Sequence, residues 1–454
     1  MLNKIIEQQK QINQAHKAKY PEAMLLENIT PSKISFLKAL QAKKHSYILE
    51  CKQSSPSKGI INTKYDLKTL AQTYNPFASA ISVLTNQPFF NGSLTHLKTV
   101  RHASDLPLLC KDFIFTPHQI LLARYFGADA VLLMLSVLSD ETYRSCQQMA
   151  RRLNLSILTE VHSELECQRA LALDAEIIGI NQRNLHNLSI DRELIFNLSS
   201  KLPKDKLIIA ESGIRDHHDI QLLKPYVNGF LIGTALNSSD APDLTLRSLI
   251  FGQVKICGLT TKDSAIAAYQ HGAVFGGLNF IPVSKRFITL EQANTIRQSA
   301  PLQYVGVFAD TPIEKILDTV NFLELSAVQL HGHENAAYIN QLRRLLRPDC
   351  KIFQAINGNA RLPLKLPDSV DKLVVDNQVN DQLGGTNQRF DWSKLKNSPI
   401  LKHMFLAGGL QVGNITEAMD IGTFGLDINS GVETEPGNKD PQKMAQLFAL
   451  IREY

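Results

Sequence analysis

Short, nearly all-apolar runs recur along this chain at even intervals, and each is followed by an amphipathic stretch. In the first half they are YILEC (47–51), ASAISVLT (78–85), LPLLCKDF (106–113), ADAVLLML (128–135), SILTEV (156–161), EIIGIN (176–181), KLIIAESG (206–213) and GFLIG (229–233). Strands with one wet face alternate apolar and polar residues. These runs are apolar almost throughout, as strands buried on both faces are. The segments between them, such as 117–126, 140–153 and 163–171, read as helices. The count then restarts with VKICG (254–258), AVFGGLNF (273–280), YVGVFAD (304–310), AVQLHG (327–332), KIFQAI (351–356), KLVVDN (372–377), HMFLAGG (403–409) and FGLDINSG (424–431). Alternating strand and helix dictates a parallel sheet, and eight β–α units in succession close it into a barrel. The expected fold is α/β, two tandem (β/α)8 TIM barrels, over residues 1–250 and 251–454. The join falls near 241–253, where a Pro, a short helical segment and a Gly precede the new first strand, and the residues ahead of Tyr47 are expected to add one or two helices.

Composition narrows the function. Charged residues make up 20% and the hydrophobic set 44%, the balance of a folded chain. A net charge of +5 over 454 residues, without a Lys/Arg block and with a single Trp, gives no basis for nucleic-acid binding. The densest apolar stretch, around 130–138, is about half the roughly 18–20 residues a membrane span needs. Six cysteines without a CxxC pair argue against a disulfide framework or a structural zinc site. The opening MLNKIIEQQKQINQ has no apolar core and no small-residue cleavage site, so a secretory signal is not expected and a cytoplasmic location is.

In this fold catalytic groups sit where strands end and βα loops begin. The first strand ends in Glu50 and Lys52, which a period of two places on one face, inward. The third ends in Lys111, the fifth in Glu160, the sixth in Asn181 and Arg183, and the seventh in Glu211 and Ser212. Cations facing carboxylates inside one barrel mouth suit acid/base work on an anionic substrate, against the alternative of an ion-pair ring that only closes the barrel top. Glycines at the ends of strands seven and eight recur in both halves, in AESG (210–213) with GFLIG (229–233) and in AGG (407–409) with GLDINSG (425–431). Loops at those positions commonly hold a phosphate on backbone N–H groups. Two phosphate sites are expected.

ILECKQSSPSKG (48–59), LCKDFIF (109–115), LTEVH (158–162), GINQRNL (179–185), IAESGI (209–214) and GFLIGTAL (229–236) resemble indole-3-glycerol-phosphate synthase. The resemblance implies that carboxyphenylamino-deoxyribulose phosphate is cyclised with loss of CO2 and water. It implies Lys111 as the general acid for ring closure and Glu160 as the acid/base of the dehydration, with Lys52 and Glu50 nearby and the division of proton transfers left open. Lys52 and Arg183 would hold the substrate carboxylate, and Asn181 and Glu211 its hydroxyls. Ser55, Gly213, Gly233 and Thr234 are phosphate candidates, and Phe113 and Ser212 further substrate contacts. The loop TNQPFFNGS (85–93) departs from the family pattern, with Pro88 at a usual lysine position, and Thr116 replaces a usual aspartate. Those departures bear on loop behaviour and affinity.

In the second half Lys255 and Cys257 face the same way at the end of the first strand, and Asp376 ends the sixth strand across the barrel. A lone Cys there is ordinarily a small buried hydrophobe. A thiolate base opposite a carboxylic acid, however, suits an isomerisation. KICGLT (255–260), VQLHG (328–332), VVDN (374–377), GGTNQRFDW (384–392), AGGL (407–410) and the stretch from LDINSGVE through PGNKD (426–440) resemble phosphoribosylanthranilate isomerase. The resemblance implies an Amadori rearrangement, with Cys257 as base at the sugar C2 and Asp376 as acid on the ring oxygen. Arg286 would bind the anthranilate carboxylate, Gly385, Gly409, Ser430 and Gly431 would cradle the phosphate, and Asp427 and His331 would contact substrate. Asn387 stands at a usual glycine, which puts that phosphate loop in question, and Asn429 at a common serine.

The two resemblances together imply a bifunctional tryptophan-biosynthesis enzyme whose C-terminal barrel acts first. No metal or organic cofactor is required as the family runs the reactions, the partners are small phosphosugar-anthranilate molecules, and a monomer is expected. A non-catalytic phosphosugar-binding protein and a metal hydrolase built on His331 and His333 are the alternatives. The hydrolase is disfavoured because no Asp/His set with ligand spacing accompanies the HxH.

Overall fold

The computed structural model of the chain describes residues 2–56, 59–62, 65–184, 187–377 and 389–454. It divides into two compact units, one running to Leu246 and the other spanning Arg247–Tyr454.

The first unit holds the parallel strands β1 (Ser46–Cys51), β2 (Ala80–Leu84), β3 (Leu108–Lys111), β4 (Ala130–Met134), β5 (Ser156–Val161), β6 (Ile177–Asn181), β7 (Leu207–Glu211) and β8 (Gly229–Ile232). They hydrogen-bond in sequence order, and β8 pairs with β1 to close the barrel. Every residue of β1, β2, β4 and β6 is buried, because helices cover the outside and side chains fill the inside. Ile48, Ala80, Leu109, Ala130, Leu158, Ile177, Ile209 and Leu231 form that filling. The helices start on ordinary caps. Ser139 accepts from the Thr142 N–H ahead of helix Asp140–Arg152, which has Asp140 and Glu141 in its first turn and Arg151 and Arg152 in its last, matching the helix dipole at both ends.

Three helices rather than one or two precede β1: α1 (Leu2–Lys19), Glu22–Asn28 and Phe36–Gln41. The inward stripe of α1 is Leu2, Ile5, Gln9 and Asn13. Leu2 and Ile5 join the apolar cluster that contains Phe113, Leu132 and Met134, with Phe89 and Phe90 packed against it.

The second unit repeats the architecture with β9 (Gln253–Ile256), β10 (Phe275–Asn279), β11 (Gln303–Phe308), β12 (Ala327–Leu330), β13 (Lys351–Asn357), β14 (Lys372–Asp376), β15 (Met404–Leu406) and β16 (Gly425–Ile428), again closed in sequence order. Its interior is filled largely by aromatic rings. Phe405 meets Phe275 at 5.7 Å and Phe353 at 5.4 Å between ring centroids, in the edge-on and tilted arrangements such rings prefer. No helix among the described residues is long and apolar enough to cross a membrane.

Candidate active sites

At the C-terminal end of the first barrel lies a cavity of about 570 Å³. Its wall includes Glu50, Lys52, Ser55, Lys111, Phe113, Glu160, Asn181, Arg183, Glu211, Ser212, Gly213, Gly233 and Thr234, so the first-barrel catalytic and substrate-binding candidates reach one space, while Pro88 and Thr116 are not part of its wall. Neighbouring strands place them there by register: β5 sets Glu160 beside Gly179 of β6, and Asn181 of β6 sits beside Glu211 of β7. A Cβ at position 179 would stand 2.0 Å from the Glu211 Oε1 atom, so glycine is what lets that carboxylate swing inward.

Lys111 stands at the centre. Its Nζ donates to Glu211 Oε2 at 2.5 Å and to Glu160 Oε2 at 3.2 Å. Burial opposes the ammonium charge, but Glu211, Glu160 and Glu50 outweigh it and raise the Lys111 pKa. The lysine is therefore held in its protonated form. Burial also acts on its partners, with opposite net results. Glu211 is pushed up to about 7, because burial and the nearby Glu160 charge outweigh the relief from Lys111. Glu160 goes down: burial raises it, but Lys111, His162 and a hydrogen bond from Asn181 more than compensate. Two carboxyls in one mouth are thus pulled in opposite directions by their surroundings.

Lys52 pairs with Glu50 at 2.6 Å. Asn237 fastens this corner, accepting from the Lys52 N–H at 3.2 Å and donating to the Glu50 carbonyl at 2.7 Å. A Cβ at Gly233 would come within 2.2 Å of Glu50 Oε1 and 3.1 Å of Lys52 Nζ. Ser212 and Gly213 both adopt positive φ, 63° and 76°, a turn that brings main-chain groups to the cavity edge. Ser212 does so despite its side chain.

Other residues of this mouth went unread in the sequence. Ile5 and Phe90 line the cavity, the first from α1 and the second from the short helix Gln87–Phe90 in the altered 85–93 loop. Asn86 donates to Gln9 of α1 at 2.7 Å, so loop and helix are tied together. Thr116 has a structural role: it caps helix Pro117–Tyr125 reciprocally with Gln119, whose Nε2 also donates to the Phe113 carbonyl at 2.9 Å. His162, inside the LTEVH motif, lies 3.5 Å from Glu160 and 3.7 Å from Glu166.

In the second barrel Cys257 follows β9 and is buried. Lys255, two residues earlier, is completely enclosed and donates to Asp427 at 2.8 Å and Gln329 at 2.9 Å. Burial pushes the Cys257 thiol up; Lys255 pulls it down and Asp427 pushes it further up. Asp376, at the end of β14, is raised to about 6, chiefly by burial, with the Asn377 N–H at 2.7 Å holding it back.

Arg286 packs beside Gly258, where a Cβ would meet its Cδ at 2.5 Å. Its Nε and Nη2 donate to Glu433 at 2.9 and 2.7 Å. Two of its five N–H donors are thereby committed to a carboxylate already in the protein. Glu433 also takes Lys439 at 2.7 Å, and Lys439 donates to the Asn429 side chain at 2.9 Å. Neither Glu433 nor Lys439 was singled out in the sequence: Glu433 meets Arg286, 147 positions away, and Lys439 reaches Glu433 and Asn429 only once the loop after β16 has folded back. Gly409 has φ 72°. Gly431, whose Cβ would meet the Leu410 carbonyl at 1.8 Å, packs its loop against the one after β15, with Ser430 immediately before it. Asp427 is turned to Lys255 with its Oδ2; its Oδ1 has no hydrogen-bond partner among the described residues. Gly385 and Asn387 lie outside the described residues.

His331 and His333 do not converge. His331 approaches Gln329 at 3.2 Å and is lowered to about 4 by burial and the Lys255 charge. His333 faces outward to Asp310 at 3.1 Å. Among the described residues no group of three or more His, Cys, Asp or Glu side chains is arranged to hold a metal ion.

Comparison with known proteins covers both barrels. The family pattern described as indole-3-glycerol phosphate synthase matches residues 2–249, and that described as N-(5'phosphoribosyl)anthranilate (PRA) isomerase matches residues 254–449. The tryptophan biosynthesis protein TrpCF of Vibrio cholerae serotype O1 is 44% identical over all of this chain and 96% of its own length. The protein of the same name from Yersinia pestis is 45% identical over 97% of this chain and 92% of its own. Among solved structures, the phosphoribosyl anthranilate isomerase of Thermus thermophilus matches 43% of this chain and 96% of its own, at 29% identity and a TM-score of 0.40.

Proposed function

From a chain that belongs to the indole-3-glycerol phosphate synthase family over its first barrel and to the PRA isomerase family over its second, we infer a bifunctional enzyme of tryptophan biosynthesis with a separate acid/base constellation in each barrel. The C-terminal barrel isomerises N-(5-phosphoribosyl)anthranilate to 1-(2-carboxyphenylamino)-1-deoxyribulose 5-phosphate. The N-terminal barrel cyclises and decarboxylates that product to indole-3-glycerol phosphate. It is at once a carboxy-lyase and an intramolecular oxidoreductase.

The observation that carries the assignment of roles in the first barrel is Lys111, one ammonium shared by Glu160 and Glu211 inside a cavity lined by the other first-barrel candidates. In the reading proposed here Lys111 delivers its proton to the ketose carbonyl oxygen as the new carbon–carbon bond forms. Loss of CO2 leaves a hydroxyl to be expelled, and Glu160 handles the proton that departs with it as water. Glu211, raised to about 7, and Asn181 orient the sugar hydroxyls. Lys52 with Glu50 and Arg183 receive the carboxylate end, while Phe113 packs on the ring. Ser55, Ser212, Gly213, Gly233 and Thr234 receive the phosphate.

In the second barrel Cys257 removes the proton from the sugar C2 and Asp376 protonates the ring oxygen. Asp376 can do so near neutral pH because burial keeps part of it protonated. Arg286 offers its remaining N–H donors to the anthranilate carboxylate, with His331 and Asp427 deeper in the mouth. Gly385, Gly409, Ser430 and Gly431 take the phosphate. The same reading makes the chain a cytoplasmic monomer that acts on small phosphosugars without nucleic-acid or membrane partners.

The test uses the purified chain and fresh phosphoribosylanthranilate with a chelator present, following loss of anthranilate-type fluorescence and, separately, formation of indole glycerol phosphate. Both are expected. Substrate consumption without indole product would refute the roles given to the first barrel, and no consumption those given to the second.

A further inference from the structure

Lys255 is a charged side chain with no exposed surface, lodged between β9, β12 and β16. A buried ammonium is costly unless all three of its N–H bonds find acceptors. Two are accounted for by Asp427 Oδ2 at 2.8 Å and Gln329 Oε1 at 2.9 Å. Cys257 follows two residues on, on the same inward face by the period of two, and is likewise buried, so the ammonium and the sulfur act on each other across the barrel interior. Asp427 and Gln329 are themselves buried, so the ammonium is held in one direction by groups that cannot turn to solvent.

We propose that Lys255 is the positioning residue of the isomerase site, a fixed cation aimed by Asp427 and Gln329 at the Cys257 sulfur that stabilises the thiolate on which proton abstraction depends. This rests on the reading of Cys257 as the base and adds what makes it one. A thiol enclosed in an apolar strand end holds its proton, and burial has that effect here. The groups that face it decide whether it can let go. Lys255 favours the thiolate from β9 and Asp427 opposes it from β16. Lys439 favours it from the loop after β16. Arg286 also faces the sulfur, with its charge largely spent on Glu433. Asp376 senses both Asp427 and Lys255 from β14, and His331, lowered to about 4, contributes no charge near neutrality. Of these cations Lys255 is the one with no exposed surface, held inside the barrel by Asp427 and Gln329.

The test is the pH dependence of alkylation of Cys257 by iodoacetamide in the full-length protein, read by mass spectrometry of the peptide that carries it. The other five cysteines are buried and give separate peptides. Lys255→Met keeps the length of the side chain and removes the charge. The midpoint for Cys257 is expected to move up by roughly one pH unit or more, and the acid limb of kcat/KM for isomerisation to move with it. Gln329→Met removes one of the two groups that aim the ammonium without changing any charge, and is expected to move the midpoint up as well, by a smaller amount. A Lys255 that only fills space would leave the midpoint in place while activity fell, and that result in either folded variant overturns the proposal. If Lys255→Met does not fold, Gln329→Met decides alone: an upward shift supports the proposal and an unmoved midpoint overturns it. Alkylation is independent of turnover: a Cys257→Ala protein that still isomerised would overturn the reading of Cys257 as base, yet leave the midpoint result standing.

Discussion

Replacing Asp376 by Asn should make the second barrel more stable while removing its isomerase activity. The Asp376 carboxyl is displaced from 3.8 to about 6, mainly by burial, with Asp427 adding to the effect and the Asn377 N–H and Lys255 opposing it. A folded-state value above the unfolded one contributes stability that is complete below about pH 3.8 and is lost as the pH rises through 6. Fully ionised, a group displaced that far costs the fold roughly 3 kcal/mol. Because one edge of the carboxyl meets solvent at the barrel mouth, screening trims this to about 2 kcal/mol. Asparagine keeps an oxygen to accept from the Asn377 N–H and carries no charge, so at pH 8 it recovers that amount, or about 4–8 °C of melting temperature for a barrel of this size. The chain's single tryptophan is Trp392, buried in the second barrel, and its fluorescence reports the unfolding of that barrel alone. Parent and variant should differ most at pH 8 and converge as the pH falls toward 4. A variant no more stable than its parent at pH 8, or a difference independent of pH, would refute the argument that burial sets this carboxyl.

Two further substitutions test the first barrel. Gly233→Ala drives a methyl to 2.2 Å from Glu50 Oε1 and 3.1 Å from Lys52 Nζ, so the paired carboxylate and ammonium must both shift from their places in the cavity wall. Synthase KM should rise at least about tenfold with isomerase kinetics unchanged, since about 1.4 kcal/mol is tenfold. Ile5→Asn takes an apolar residue out of the cavity wall and replaces it with an amide, at a cost of about 2 kcal/mol of burial. If α1 closes the mouth, synthase KM should rise and the N-terminal residues become sensitive to limited proteolysis. An unchanged KM would show that α1 packs there without serving the substrate.

The barrels were legible because their strands are buried on both faces and therefore write continuous apolar runs. YILEC and SILTEV fall almost residue for residue on β1 and β5. The polar groups were legible for the complementary reason. Lys111, Glu160 and Glu211 interrupt apolar runs at the strand ends, where only a functional mouth tolerates them. What did not show was who pairs with whom. Lys111 lies 100 positions from the carboxylate it contacts most closely, and Arg286 lies 147 from Glu433. Those contacts exist only once the barrel has closed. That α1 reaches the cavity was hidden for another reason: its inward stripe of Leu2, Ile5, Gln9 and Asn13 is half polar. It reads as a weakly amphipathic surface helix until Gln9 is seen bonded to Asn86. Gly179 lies inside the run EIIGIN, and only the Glu211 carboxylate packed against it gives it a reason.

The most direct test of two separate sites is to assay Lys111→Ala and Cys257→Ala proteins for both reactions, each supplied with its own substrate. Loss of the group carrying a proton transfer costs about 10²–10⁴-fold. The account predicts that Lys111→Ala loses synthase activity on that scale and isomerises normally, while Cys257→Ala does the reverse. A folded variant that lost both activities, or retained the one assigned to the mutated barrel, would contradict it.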